Sequence, residues 1–226
     1  MGTTMFKDHA LFEKGTGLCQ SQFGRKPHSI EMSLHSAGIS LMFKDLIDFT
    51  DARLPENKDK RYMHVFILLQ QFISPILSKR IVNIFHKEIA HVFIDWQEYN
   101  NTACMTFLFQ DWQAAVSYEQ YEAQESLHDE ISRVTKDVEK SPVTVQSLWL
   151  SPKRLLVIRT GLLIYLERKL VRKGFSNSLR IAKRELELER FKQEIDYSQL
   201  VNQSLHSAYL DWKFEHDISV LLLQFD

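Results

Sequence analysis

The chain has 226 residues, 44% of them hydrophobic and 25% charged, with a formal net charge of −1; this is a globular composition, enough for one sizeable core or a core plus a small module. Its two cysteines, Cys19 and Cys104, make neither a disulfide framework nor a zinc-ligand spacing. The longest apolar runs, VFILLQQFI and LLVIRTGLLIYL, fall short of the ~20 residues a bilayer requires, and the opening MGTTMFKDHALF has neither the apolar stretch of a secretory signal nor the Ser or Thr that a myristoylation signal wants at Phe6. The cytoplasm is the expected compartment, and no membrane partner is expected.

Four of the seven glycines (Gly2, Gly15, Gly17 and Gly24) precede residue 27 in a stretch without sustained apolar period, so residues 1–27 are expected to form a flexible arm. SIEMSLHS, from Ser29 to Ser36, alternates Ile30, Met32 and Leu34 with polar residues, which predicts a short strand. AGISLMFKDLIDFTDA places Ile39, Met42, Phe43, Leu46, Ile47 and Phe49 at helical spacing. The next helix is expected from Arg61 to about Trp96, too apolar to be anything but core and kinked or broken at Pro75. An acidic helix follows between Gln110 and Lys140, with Val116, Tyr118, Tyr121, Leu127, Ile131, Val134 and Val138 as its stripe. Residues 28–140 thus read as a mainly helical region. HVFI occurs at His64 and at His91, but the flanks do not match, and no internal repeat is read from it.

VTVQSLWL, from Val143 to Leu150, is β-branched and aromatic and predicts a strand. Ser151 and Pro152 suit a helix cap and first helical position, and the helix they open is expected to end at Lys173, with Gly174 as a left-handed C′ residue. Ser176 or Ser178 then caps a second helix with two apolar faces, Leu179, Ala182 and Leu186 on one and Ile181, Leu188 and Ile195 on the other, as at a dimer core.

This order of strand, capped helix, G-x-S-x-S turn and second helix, spanning Val143 to Ile195, resembles the ribbon–helix–helix DNA-binding family. The resemblance implies a homodimer whose two-stranded ribbon lies in the major groove of double-stranded DNA while the start of the second helix grips a phosphate. The first helix is roughly two turns longer than is usual in that family. The expected fold class is mainly α with short β-strands: a helical N-terminal region plus an atypical ribbon–helix–helix module with a C-terminal helical extension over residues 141–226. SIEMSLHSAGISLMFKDLIDF and LWLSPKRLL, with the chain's size, are similar to the AcaB-type proteins of conjugative plasmids and integrative conjugative elements, which implies a transcriptional activator of transfer functions. Three roles stay open for the N-terminal helical region: extending the dimer interface, contacting RNA polymerase or binding a signal.

Charge is unevenly distributed. Ser151 to Arg184 holds ten Lys or Arg (Lys153, Arg154, Arg159, Arg168, Lys169, Arg172, Lys173, Arg180, Lys183, Arg184) against one acid, Glu167, so the rest of the chain is acidic. If the polar end of the strand faces DNA, Gln146 and Thr144 read base edges, Lys153, Arg154 and Arg180 lie near phosphates, and Ser176, Asn177 and Ser178 form the helix-end clamp. The alternative is a protein–protein interaction module whose basic helix docks an acidic partner. The nearest approach to a metalloenzyme motif, His86, Glu88, His91 and Asp95, misses the spacing that sets two imidazoles on one metal. No nucleotide-binding glycine loop or nucleophile elbow occurs, so neither enzymatic activity nor a cofactor is expected.

Overall fold

A computed structural model describes the backbone of residues 2–226 and the side chains from His9 onward. The chain forms two compact units, Met1–Trp112 and Gln113–Asp226, so its division falls at residue 112 and not at the expected 27 and 140. The expected fold class is overturned: each unit contains a four-stranded antiparallel sheet with helices, an α/β architecture in which the strands are principal elements.

The first unit runs α1 (Gly2–Phe23), β1 (Ser29–His35), β2 (Gly38–Lys44), α2 (Lys58–Leu68), α3 (Ser74–Phe85), β3 (Ile89–Gln97) and β4 (Thr102–Phe109), with strand order β1-β2-β4-β3. The expected flexible arm, of which Met1 lies outside the described residues, is the helix α1, with Leu11, Leu18 and Cys19 buried. Its Gly15 serves close packing: a Cβ there would lie 2.9 Å from Ile30 Cδ1 and 3.3 Å from Phe43 Cε1. β1 forms where the alternation placed it. β2 occupies the segment expected to be helical, because a short run buried on both faces satisfies the helical and the extended period alike. Gly38 permits the pairing: a side chain there would run into the Phe107 carbonyl of the adjoining β4.

Between α2 and α3 the helix widens into a π turn, Leu69–Ile73, just ahead of Pro75, which lacks an N–H to donate and crowds the preceding turn. Lys58–Phe85 as a whole has the length and hydropathy of a membrane span, but Tyr62, Val65, Phe66, Leu69, Ile73, Leu77 and Ile81 are buried. The helix ends at Phe85 and not near Trp96, since His86 adopts a left-handed conformation (φ 54°) and β3 follows.

After α4 (Trp112–Ser117), which crosses the division, the second unit contains α5 (Gln124–Val138), β5 (Thr144–Ser151), β6 (Arg154–Thr160), α6 (Tyr165–Arg172), α7 (Ser176–Gln193), α8 (Tyr197–Val201), β7 (Leu205–Lys213) and β8 (Ile218–Phe225), in the order β5-β6-β8-β7. The ribbon–helix–helix order is absent. Ser151–Pro152 opens no helix; Pro152 and Lys153 form a tight turn, Ser151 pairs with Arg154, and the chain returns along β5 as β6. Proline's fixed φ suits the second position of a turn as well as the first of a helix. The C-terminal residues expected to extend the helices are β7 and β8. Leu127, Ile131, Leu155, Val157, Phe191, Leu210, Leu221 and Leu223 belong to this unit's core, where helices meet one face of the sheet.

The two units repeat one another, contrary to the reading of no internal repeat. Adding 116 to the residue numbers of β2, β3 and β4 gives the bounds of β6, β7 and β8. The same shift carries the register break at Ile89/His91 onto Leu205/Ser207 and the left-handed Asp45 and Asn101 onto Gly161 and Asp217. The Phe109 N–H to Ala37 C=O bond of 3.0 Å maps onto Phe225 to Lys153 at 2.9 Å. In both units an Asp-Trp pair closes the same small loop, Trp96 N–H to Asp95 Oδ1 at 2.8 Å and Trp212 N–H to Asp211 Oδ1 at 2.7 Å. Buried Leu11, Gly15, Leu18 and Cys19 of α1 correspond to Leu127, Ile131, Val134 and Thr135 of α5.

Candidate nucleic-acid interface

The residues expected to touch DNA do not converge. Thr144 and Gln146 lie on the edge strand β5, opposite Thr160 and Ile158 of the same chain; the Thr144 hydroxyl is 2.7 Å from that of Thr160. Lys153 is exposed in the β5–β6 turn. Arg154 and Arg180 are buried and so are not available to phosphates. Ser176, Asn177 and Ser178 begin α7, and no side chain caps that helix end. The expected stop at Gly174 is present: φ is +85°, and Gly174 N–H to Val171 C=O (3.0 Å) with Phe175 N–H to Leu170 C=O (3.0 Å) is the double bond pattern that closes a helix on a left-handed residue. Of the two apolar faces read on α7, Leu188 and Ile195 are buried, whereas Ala182 and Leu186 are exposed.

Much of the basic segment is turned inward. Arg159, near the end of the inner strand β6 and fully buried, places Nη1 2.7 Å from Glu187 of α7 and 2.7 Å from the Thr135 hydroxyl of α5, and Nε 3.0 Å from Ser219 of β8. Lys183 pairs with Glu139, with Glu167 at 3.0 Å and with Glu187 at 3.8 Å. Arg180 pairs with Asp211, donates to the Trp212 carbonyl at 3.1 Å, and lies 5.2 Å from the Phe214 ring centroid. Burial, and the Glu187 carboxylate beside it, push Glu139 up to about 9. Because Arg159 and Glu187 are sealed from solvent, this network holds the helices in register and offers no substrate access. Sequence reading missed it because a charge run usually marks a solvated face.

What stays outside is α6 and its turn. Asp217 builds the approach to this helix: its Oδ1 accepts the N–H groups of Leu162 (2.7 Å) and Leu163 (2.9 Å), and its Oδ2 lies 3.2 Å from Arg168. Glu167 accepts the Ile164 N–H at 3.0 Å, satisfying a helix-entry donor. None of the residues of α6 is buried. Arg168, Lys169, Arg172 and Lys173 are exposed together with Tyr165 and Leu166, which are 81% and 63% exposed, and Phe175 follows the turn. Beside α6 is a cleft of about 430 Å³ lined by Leu163, Arg168, Val171, Arg172, Phe214, Glu215 and Asp217. The signal for this site was present in YLERKLVRK, whose exposed aromatic and basic residues stand without a buried stripe.

Among the described residues no group of three or more His, Cys, Asp or Glu is placed to hold a metal. The chain matches no protein-family model, no curated protein and no solved structure.

Proposed function

We propose that this chain is a non-enzymatic DNA-binding protein of the cytoplasm, used in transcription regulation, and that its DNA contact is the α6–Gly174–α7 corner. The observation that carries the reading is the exposure of Arg168, Lys169, Arg172 and Lys173 beside Tyr165, Leu166 and Phe175 on a helix with no buried residue. Lys and Arg side chains neutralise phosphates and release counterions, while aromatic groups contact bases. The internal pairing of Arg159, Arg180 and Lys183 withdraws those three charges, and four of the exposed bases of the segment lie at that corner.

Fluorescence anisotropy with labelled DNA over a salt series tests the reading. Four phosphate contacts give a log–log slope of roughly −3 to −4 on duplex DNA, and Lys169→Glu with Lys173→Glu should remove most of the affinity and flatten that slope. Absence of DNA binding, with capture of an acidic polypeptide at the same residues, would replace DNA by a protein partner.

A further inference from the structure

We infer that the cleft beside α6 receives one unstacked nucleotide of a nucleic-acid strand, with its phosphate on Arg172 and Arg168 and its base in the apolar slot made by Leu163, Val171 and Phe214. The inference rests on the proposed DNA contact and deepens it, making single-stranded or locally opened DNA the preferred form.

The charges and the surfaces of the cleft support this occupant. Arg168 and Arg172 stand one helical turn apart, so their guanidinium groups reach the same space. Arg168 is oriented by Asp217, whose other oxygen is held by two backbone N–H groups. Arg172 has no ion-pair partner among the described residues and supplies the uncompensated positive charge. Of the two carboxylates in the lining, that of Asp217 is engaged in this way, and Glu215 is offset by nearby Lys213.

Phe214 is buried, and its ring is flanked by Trp212 in a stacked arrangement, with centroids 6.0 Å apart, and by the Arg180 guanidinium at 5.2 Å. The small part of Phe214 that lines the cleft is what remains for a base. A cleft of about 430 Å³ is within the size range of small-ligand sites. A duplex cannot enter it without extruding a base, whereas a single strand has bases free to unstack.

The test compares a labelled oligothymidine with a hairpin duplex of equal phosphate count, using the full chain and its Arg172→Ala, Arg172→Lys and Lys169→Ala variants. The expected result is single-strand binding at least roughly tenfold tighter than duplex binding, a preference lost in Arg172→Ala, partly kept in Arg172→Lys, and unchanged in Lys169→Ala, which weakens both ligands alike. Thermal melting should be unchanged, since Arg172 is exposed and unpaired. Equal binding of both forms, reduced equally by Arg172→Ala, would overturn the cleft assignment while leaving the DNA contact standing. Failure to bind either form would overturn the DNA reading itself. Thymidine monophosphate binding as tightly as the oligomer would overturn the assignment to a strand.

Discussion

The same strand plan encloses two different interiors. In the first unit, the inner strand β2 carries Phe43 near its C-terminal end, fully buried against Gly15 of α1; at the repeated position, β6 carries Arg159, bound to Glu187, Thr135 and Ser219. The outer corners differ as well. After β2 the first unit continues through a loop with Asp48, Asp51, Arg53 and Glu56, in which hydrogen bonds from Arg53 hold the Asp51 carboxyl down at about 2. After β6 the second unit continues into α6, with Arg168, Lys169, Arg172 and Lys173. Hydrogen-bond register and left-handed turns therefore fix this plan, while interior polarity and corner charge are free to diverge.

The strongest way to break the comparison is Glu187→Ala, which leaves Arg159 buried without its carboxylate. A loss of about 3–5 kcal/mol is expected, and hydrogen exchange should rise in β6 and β8 while β2 and β4 stay protected. Glu139→Gln sharpens it in the opposite direction. Glu139 is raised to about 9 in the fold from an ordinary value of 4.5, so its proton favours the fold fully below pH 4.5, and that contribution falls away as pH rises toward 9. The amide should stabilise the second unit by on the order of 2 kcal/mol at neutral pH and flatten its pH dependence between those limits. Lys213, lowered to about 8 by burial and by Arg180, acts in the opposite sense between pH 8 and 10.5, where the unfolded chain alone retains the proton, so the pH series belongs below 8.

Asp217→Ala should cost about 2 kcal/mol, releasing the Leu162 and Leu163 N–H groups and placing alanine at a left-handed position. Its counterpart Asn101→Ala, which frees the Ile47 N–H and leaves the Ile47 carbonyl to Arg25 alone, should cost a similar amount in the first unit. Chemical denaturation read by hydrogen exchange would separate the two, and unequal losses would show that the repeated turn does not carry equal weight. The smallest effect is Gly174→Ala, about 1 kcal/mol by equilibrium denaturation: φ is +85°, but nothing lies within 4 Å of the added methyl, so the loss is conformational alone.

Legibility in the sequence followed locality. The β1 alternation, the β-branched and aromatic composition of β5, the apolar stripe Leu127, Ile131 and Val134, and the stop at Gly174 are decided by near neighbours and were readable. β2 and β6 were not, because strands covered on both faces lose the two-residue period, and the choice against helix is made by partners such as β4 and β8, distant in sequence. The candidate site was half readable. The basic segment located it, yet Arg159, Arg180 and Lys183 could be withdrawn from the surface only once tertiary contacts brought Glu139, Glu187 and Asp211 to them. The repeat escaped because paired strands require an apolar pattern and not particular side chains; Asp95–Trp96 and Asp211–Trp212 were its available mark.

Arg159 has a further consequence for a chain that makes one plan twice. Tandem units with matching strand registers are prone to exchange hairpins while folding. A β5–β6 hairpin taken up by the first unit would bring the Arg159 guanidinium to the place of Phe43, where Gly15 and Cys19 stand in place of Ile131 and Thr135. Glu187 would be left behind in the other half, and a charge buried without its partner is costly. The cation in the second unit thus makes the exchanged pairing costlier than the native one.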